Sequence, residues 1–361
     1  MTHSSKTVFL HDHSHIERHA DALLSAPVLG LDTEFVRERT YWPIPGLLQI
    51  GNGATVWLLD PIALADSTSA RELIRELLQK PDLTKILHSA GEDFEVLHQL
   101  GGTLPRPLFD TQIAAALLGH PLQLRYETLA QELLGLEFPG GLGRNDWTRR
   151  PLPEAWIEYA CNDVIGLPAM RAELAEQLDR RGRLDWLMED CERALARFDR
   201  EEPPVLRVKG ATALDDEALE RLARLASWRE TQARERDLPR GFIAADALLL
   251  ELARRPETRI VEFARATPPH RVPGAALREE MLELVRAGPV EFERPPELAP
   301  LTPEQRARIK ALQGWVRKRA EELQLEPAVL ASRRDLTRLV QGATSDCLEG
   351  WRAEILGGIP L

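Results

Sequence analysis

One short acidic segment constrains this chain more than any other. Val28, Leu29 and Leu31 form an apolar run that ends in two carboxylates, Asp32 and Glu34. Side chains alternate along a β-strand, so the two carboxylates would point to one face, about 7 Å apart. Unpaired like charges on a buried strand are costly, and a divalent cation is a common remedy. An isolated Asp-x-Glu pattern more often marks a strand that runs out into a polar loop, so this segment alone leaves both interpretations open.

The length and composition of the chain are those of a globular protein with two or three domains. The chain has 361 residues, 43% of them hydrophobic and 29% charged, and each domain can then bury its own core. Three scattered cysteines are too few for a disulfide framework or a zinc site, which favours a reducing, cytoplasmic compartment. Residues 1–6 are polar and predict no secretory signal, and the apolar run 244–250 is too short to span a bilayer.

The net charge of −11 argues against a protein that grips nucleic acid over its whole surface. Phosphate binding needs positive potential, which an acidic chain lacks on average. Local basic patches remain compatible with this total, and carboxylates that hold metal ions contribute to it.

The patterns predict an α/β domain followed by two small all-helical units. A hairpin around 51–53 joins early strands, and later strands alternate with helices, which predicts a mixed sheet with helices on its faces. After about residue 190 strand signals nearly vanish, and proline-rich stretches at 203–204 and 294–303 indicate linkers. The expected units are an α/β domain at 1–190, a linker at 191–210 and helical domains at 211–294 and 295–361.

Two helices carry specific signals at their ends. Ser14 is predicted as the N-cap of a helix over 14–25, because Glu17 would complete a capping box. A long helix over 153–181 should kink or end near Pro168.

Two later segments carry acids that could join the first pair. Asp93 falls in the first turn of a helix that follows a strand ending near His88, so it can reach back across the end of the sheet. Acids in a first turn also complement the helix dipole, which is the purely structural interpretation. Tyr159 and Asp163 are four residues apart and share a helix face at the border of its apolar stripe. A Tyr-x-x-x-Asp pair by itself is common.

Together the four acids supply what two divalent cations require. Hard cations prefer carboxylate oxygens, and one shared carboxylate, most simply Asp32, can bridge a pair of ions. Two metals about 3.5–4 Å apart can activate a water and stabilise the leaving oxygen of a phosphodiester. Tyr159 would orient or deprotonate that water, and orientation is the simpler role because free tyrosine has a pKa near about 10. The predicted site comprises the metal ligands Asp32, Glu34, Asp93 and Asp163 and the water-positioning Tyr159.

Three segments closely resemble, in order and spacing, the exonuclease motifs of the bacterial ribonuclease D family. They are LDTEFVR at 31–37, HSAGEDFEVL at 88–97 and YACNDV at 159–164. The resemblance extends through 109–112 and 144–147 and covers nearly the whole chain. It implies a DEDD-type 3′→5′ exonuclease of the branch with tyrosine in the third motif. A ribonuclease H-like fold and two Mg²⁺ or Mn²⁺ ions are implied with it.

The two helical units resemble helicase-and-RNase-D C-terminal (HRDC) modules. Trp228 and Trp315 fall at apolar helical positions and are predicted core anchors rather than base-stacking platforms. The arginines near Pro239 and at 333–334 are better nucleic-acid candidates, although arginines beside acids are often solvated ion pairs. Glycines stand at 140, 141 and 143, just before the Arg-x-Asp-Trp element, where family members often carry lysine or serine, so the role of the loop 139–143 is left open. The candidate RNA contacts are Arg144, Trp147, Arg234, Arg236, Arg240, Arg333 and Arg334.

These expectations combine into a monomeric, metal-dependent 3′→5′ exoribonuclease that trims structured RNA and releases nucleoside 5′-monophosphates. The resemblance alone implies tRNA precursors as the substrate. A DNA exonuclease of the proofreading kind is one alternative, which the helical tail disfavours. A non-catalytic RNA-binding protein is another, and it is disfavoured because all five site residues are present.

Overall fold

A six-stranded mixed sheet forms the centre of the first domain in the computed structural model, which describes residues 6–138, 141, 143, 145–256, 274–288 and 290–360. The strand order is β1-β4-β3-β2-β5-β6, where β2, β3 and β4 are antiparallel neighbours and the other pairings are parallel. This confirms the predicted mixed α/β sheet. The strands are β1 (Lys6–Leu10), β2 (Val28–Val36), β3 (Ile44–Gly51), β4 (Thr55–Leu59), β5 (Thr84–Leu87) and β6 (Leu108–Asp110).

Eight helices accompany the sheet within the described residues of this domain. They are α1 (His13–Leu24), α2 (Thr68–Gln79), α3 (Asp93–Gly101), α4 (Thr111–Leu117), α5 (Tyr126–Leu134), α6 (Glu154–Ile165), α7 (Leu167–Arg180) and α8 (Leu184–Phe198). Buried leucine, isoleucine and alanine side chains of these helices join those of the strands in one core.

The predicted N-cap of α1 is wrong by two residues. Asp12 is the N-cap, and its carboxylate accepts the backbone N–H of His15 at 2.9 Å. Ser14 lies inside the first turn and donates its hydroxyl to the Asp12 carboxylate at 2.8 Å. A carboxylate near a helix N-terminus also interacts favourably with the helix dipole, which favours Asp12 over serine as the cap.

The predicted break in the long helix is confirmed. α6 ends at Ile165 and α7 begins at Leu167, with Pro168 in its first turn. Proline is tolerated there because the first N–H groups of a helix have no partner within the helix.

α8 crosses the boundary predicted at residue 190. Its buried side chains include Leu187, Cys191 and Leu195. Their four-residue spacing places them on one face, which packs into the core of the first domain. The linker expected at 191–210 is therefore corrected, since residues 191–198 are helical.

The first helical unit has a core of its own. Within the described residues its helices are α9 (Asp216–Arg236), α10 (Arg240–Ile243), α11 (Asp246–Arg254) and α12 (Ala275–Arg286), preceded by short 3₁₀ helices at Pro204–Arg207 and Ala211–Ala213. Trp228 packs against this core and donates its indole N–H to Glu280 at 2.7 Å, in keeping with the predicted anchoring role.

The last part of the chain shares the core of the first domain. It contains α13 (Pro303–Leu323), α14 (Pro327–Leu330), α15 (Arg333–Val340) and α16 (Gly350–Leu356), with 3₁₀ helices at Pro296–Leu298 and Asp346–Leu348. Trp351 of α16 stacks on Trp186 of α8 with 4.2 Å between ring centroids. Arg352 pairs with the buried Asp190. Among the helices described, none is long and apolar enough to cross a membrane.

Candidate active site

Three acids meet at the end of the central strand β2. Asp32 lies opposite Gln49 and Glu34 opposite Leu47 in the antiparallel pairing of β2 with β3. Carboxylate oxygens of Asp32, Glu34 and Asp163 all lie within 4.8 Å of one another. The alternation of side chains along a strand predicted that Asp32 and Glu34 lie on one face, and Asp163 from α6 lies beside them.

A pair of glycines lets α6 approach the sheet closely enough for this. Gly30 and Gly51 are cross-strand partners on β2 and β3. A Cβ at Gly30 or at Gly51 would lie 2.9 Å from the carbonyl oxygen of Val164 in α6. Separations this short are repulsive, so only glycine permits the observed approach. The residue just before Val164 is Asp163, whose reach to β2 depends on this contact.

Gly51→Ala is expected to lower both stability and activity. The added methyl group must push the end of α6 away from β3, which should lower the free energy of unfolding by about 2 kcal/mol. Displacing Asp163 by a fraction of an ångström should lower turnover by about tenfold. Urea unfolding and an exonuclease assay test this.

Gly314→Ala is the matched control: nothing lies within 4 Å of that Cβ, inside α13, so stability should rise by about 0.5–1 kcal/mol. Wild-type behaviour of Gly51→Ala would show that close docking of α6 is unnecessary.

Asp93 is linked to the site by a hydrogen bond from Thr33. It is the first residue of α3 and is buried. Thr33, which lies between Asp32 and Glu34, donates its hydroxyl to Asp93 Oδ1 at 2.5 Å. The structure therefore brings all four predicted acids to one end of β2.

Burial raises the pKa of every one of these acids, and repulsion from nearby carboxylates adds to the effect. Burial is the largest cause at Asp32, followed by the charges of Asp93, Asp163 and Glu34, and its pKa lies well above the usual range. Burial, then the charges of Asp163 and Asp93, raises the pKa of Glu34 to about 9. The pKa values of Asp93 and Asp163 rise to about 7, with burial again the largest cause.

This donor set fits divalent cations. Carboxyl groups with raised pKa values hold their protons more readily near neutral pH, and a hard cation can displace those protons and bind the oxygens. The first turn of α3 and the end of β2 supply only oxygen donors here, the type that Mg²⁺ and Mn²⁺ prefer.

Tyr159 lies four residues before Asp163 on α6, and its hydroxyl lies near the acids, whose charges act on it. Its ring contacts Trp147 with 6.2 Å between centroids. Burial, followed by the charges of Asp163 and Glu34, raises the pKa of Tyr159 far above its usual range. The hydroxyl therefore keeps its proton at physiological pH, which favours positioning of a water over its deprotonation.

Two supporting side chains escaped the sequence analysis. The buried Gln49 donates its amide to Asp32 Oδ2 at 3.3 Å, and Thr33 binds Asp93 as described. A glutamine between leucine and isoleucine in the middle of β3 was the available signal, because a buried amide needs a partner.

Trp147 is not available for RNA, which corrects the predicted contact. Its side chain is 0% exposed. The ring packs on Trp156 with 5.2 Å between centroids. The Trp147 backbone lies against Gly46, where a Cβ would lie 2.6 Å from Cβ of Trp147. Trp147 therefore packs against the Tyr159 ring from the core of the domain. Arg144, the other candidate in this loop, lies outside the described residues.

Two of the candidate arginines, Arg234 and Arg240, connect the first helical unit to the exonuclease domain. They surround Tyr41 together with Glu230 and Asp237. The Tyr41 hydroxyl donates to Glu230 at 2.6 Å and accepts from Arg234 and Arg240 at 3.0 and 3.1 Å. These bonds join the loop after β2 to α9 and α10, so Arg234 and Arg240 are committed to an interface.

The remaining arginines differ in their partners. Arg334 pairs with Glu202 at 2.7 Å. Arg236 and Arg333 are exposed, and within the described part of the chain neither forms an ion pair. These two remain the better candidates for phosphate contacts.

The fold and the acidic site define the class of protein. Residues 8–179 match a family model described as 3′-5′ exonuclease, and residues 218–285 match the HRDC domain. The exonuclease family is metal-dependent, and the cluster of Asp32, Glu34 and Asp163 is a candidate metal site. The chain is thus a 3′–5′ exonuclease that carries an HRDC domain.

Curated relatives identify the family within that class. A ribonuclease D of Xanthomonas oryzae pv. oryzae is 38% identical over 332 residues, covering 91% of this chain and 90% of the relative. The ribonuclease D of Escherichia coli K12 is 31% identical and covers 93% and 92%. The crystal structure of E. coli RNase D matches with a TM-score of 0.85 at 28% identity, covering 98% and 97%. The chain belongs to the ribonuclease D family and is a 3′–5′ exoribonuclease.

Proposed function

We propose that Asp32, Glu34, Asp93 and Asp163 hold two divalent cations, Mg²⁺ or Mn²⁺, and that Tyr159 positions the attacking water. The observation that carries this proposal is the convergence of carboxylate oxygens of Asp32, Glu34 and Asp163 within 4.8 Å of one another, with the Tyr159 hydroxyl beside them. Bound cations would activate the water and neutralise charge on the reacting phosphate. The products would be nucleoside 5′-monophosphates and a shortened RNA.

Side chains of the protein orient the water and hold the acids in position. The Tyr159 hydroxyl, carried on a ring that contacts the buried Trp147, orients the water toward the terminal phosphodiester. Thr33 and Gln49 hold Asp93 and Asp32 in place through their hydrogen bonds. Preorganised ligands of this kind need little rearrangement during the reaction.

We also propose the finer assignments that the residues support. The chain falls in the tyrosine branch of the DEDD exonucleases because Tyr159 stands four residues before Asp163. The helical segment after 295 is a second HRDC-like module, and the exonuclease domain extends through α8 to about 200. The protein acts as a monomer in the cytoplasm, where its three free, buried cysteines stay reduced.

The substrate class follows from the relatives. The E. coli structure is described as an exoribonuclease involved in structured RNA processing. We propose that this chain trims the 3′ ends of structured RNA in the same way, and that tRNA precursors are its principal substrates.

Incubation with end-labelled RNA tests the proposed function. Purified protein and Mg²⁺ or Mn²⁺ should shorten a 5′-labelled RNA step by step, release 5′-monophosphates and act more slowly on DNA of the same sequence. A labelled tRNA precursor with a 3′ extension should be trimmed to its mature end. Faster degradation of DNA would favour the proofreading-type alternative, and binding without shortening would favour a non-catalytic RNA-binding role.

The double variant Arg236→Ala/Arg333→Ala is expected to weaken binding of structured RNA. Each removed phosphate contact should lower the slope of log K against log salt by about 1, so the double variant should lose about 2. Fluorescence anisotropy with a folded precursor in EDTA measures this. Lys310→Ala/Lys318→Ala on α13 removes two other exposed cations and should leave the slope unchanged. An unchanged slope for the arginine variant would show that these arginines do not contact phosphates.

A further inference from the structure

The loop between β2 and β3 presents a large aromatic ring to solvent. Trp42 is 42% exposed, whereas its neighbour Tyr41 is 6% exposed. The two rings meet nearly edge to face, with 4.8 Å between centroids and 76° between planes. Trp42 is therefore supported by a buried tyrosine while part of its surface remains free.

The helical HRDC domain holds this loop. The Asp237 carboxylate accepts the backbone N–H groups of Tyr41 and Trp42, each at 3.0 Å. The buried Glu230 accepts the Tyr41 hydroxyl at 2.6 Å. An exposed ring on a backbone fixed at two consecutive N–H groups is preorganised to bind a flat partner, because little conformational freedom remains to be lost.

The same loop is connected to the catalytic end of the sheet. Arg37 donates its Nε to the Tyr41 carbonyl oxygen at 2.9 Å and its other two nitrogens to Glu95 at 2.7 and 3.3 Å. Glu95 stands two residues after Asp93 in the first turn of α3. A single strand whose 3′ end lies at Asp93 can therefore reach the loop within a few nucleotides.

One exposed cation of this loop can bind a phosphate. Arg39 is exposed, and with the residues that the structure describes it forms no hydrogen bond or ion pair. An exposed cation close to an exposed indole is the combination that binds single-stranded nucleic acid, where bases stack on aromatic rings and cations follow the backbone. Arg37, by contrast, is occupied by Glu95.

We propose that residues 37–43 form a nucleotide subsite, in which Trp42 stacks a base upstream of the RNA 3′ end and Arg39 binds an adjacent phosphate. This proposal rests on the proposed exoribonuclease function. Stacking is sequence-tolerant because every base has a π-face, which suits an enzyme that advances along its substrate. Asp237 is a positioning residue, since it acts by holding the backbone of Trp42.

Comparison of two substrate lengths tests the subsite. Binding of a fluorescein-labelled 12-nucleotide oligoadenylate is measured by anisotropy in EDTA, and hydrolysis of the 12-mer and of a dinucleotide is measured with Mg²⁺. Trp42→Ala should raise the Kd of the 12-mer about tenfold, and the ratio of KM for 12-mer to KM for dinucleotide should rise to the same extent. Trp42→Phe should stay within about threefold of wild type, because phenylalanine still offers a face for stacking. Ile62→Ser is the matched control, since Ile62 is 41% exposed on the turn after β4 and lies outside the site.

Variants of Asp237 test the role of the HRDC domain in the same assay. Asp237 has a φ of 49°, a region that glycine and asparagine tolerate. Asp237→Gly removes the acceptor for both N–H groups and should reproduce part of the Trp42→Ala loss. Asp237→Asn keeps an acceptor oxygen and should resemble the wild type.

Two results would overturn the subsite. One is a Trp42→Ala protein that binds the 12-mer as tightly as the wild type, which would leave the ring to a protein partner. The other is an equal loss on dinucleotide and 12-mer, which would indicate general damage to the site. Failure of the wild type to hydrolyse any RNA would instead reject the proposed function, while the anisotropy measurement in EDTA would still decide the subsite.

Discussion

Asp32→Asn is expected to abolish exonuclease activity and to stabilise the metal-free protein. Asp32 is half-buried beside Glu34 and Asp163, and its carboxylate would be one of the ligands that hold the proposed cations. Asparagine keeps the volume and can still accept the hydrogen bond from Gln49, but it removes the charge that holds the metals. Loss of several kcal/mol of transition-state stabilisation should lower turnover by at least about 10³-fold.

The effect on stability depends on pH in a definite direction. The folded-state pKa values of the acids are raised, to about 7 at Asp93 and Asp163 and about 9 at Glu34, whereas unfolded carboxyl groups titrate near about 4. Between these values the folded state binds more protons, so the free energy of unfolding in EDTA falls as pH rises from about 4 to 9. Removal of the Asp32 charge should reduce this fall.

Urea unfolding in EDTA at pH 5 and pH 8 measures that difference. Asp32→Asn should match the wild type closely at pH 5 and exceed it by about 1–2 kcal/mol at pH 8. Added Mg²⁺ should stabilise the wild type more than the variant. Asp66→Asn, an exposed acid on the turn after β4, serves as control and should change neither activity nor the pH dependence. Near wild-type turnover of Asp32→Asn at saturating Mg²⁺ would contradict the two-metal assignment.

Tyr159→Phe should lower turnover by about 10²-fold and leave metal affinity within about threefold of the wild type. The hydroxyl is assigned to the water and not to a metal ion, so its removal should leave the carboxylate ligands intact. Phenylalanine preserves the ring contact with the buried Trp147, so the fold should persist. The raised pKa of Tyr159 also predicts that activity shows no step from tyrosine ionisation up to about pH 9.

Single-turnover kinetics and calorimetric titration with Mn²⁺ separate the two effects. Tyr126→Phe is the matched control, because the Tyr126 hydroxyl donates to the backbone carbonyl of Asn162 at 2.7 Å rather than to an acid. Its turnover should stay within about threefold of the wild type, with a loss of about 1 kcal/mol in stability. A Tyr159→Phe protein with weakened metal binding but normal turnover at high Mn²⁺ would show that Tyr159 acts on the metal site.

The structure also changes how the helical modules must be studied. The segment after 295 shares the core of the exonuclease domain, through contacts such as Trp186 with Trp351. A chain cut at residue 190 would sever α8 and expose that core. Point variants at exposed arginines therefore report on RNA binding more directly than truncation does.

Sequence alone determined the elements whose signals are local. The alternation of Asp32 and Glu34, the four-residue spacing of Tyr159 and Asp163, and the break near Pro168 all depend on periodicities of single strands and helices. The order of the motifs then sufficed to predict the family, which the relatives confirm.

Only the tertiary structure showed which contacts form between residues that are far apart in the sequence. Asp163 reaches β2 because Gly30 and Gly51 leave room for α6, a fact that no local pattern contains. The indole of Trp147 was expected on the surface and lies in the core. Arg240 was assigned to phosphate, but it is occupied by Glu230 and by Tyr41, which stands 199 positions earlier. A charged side chain is free for a ligand only if folding leaves it without a partner, and that depends on long-range packing rather than on sequence spacing.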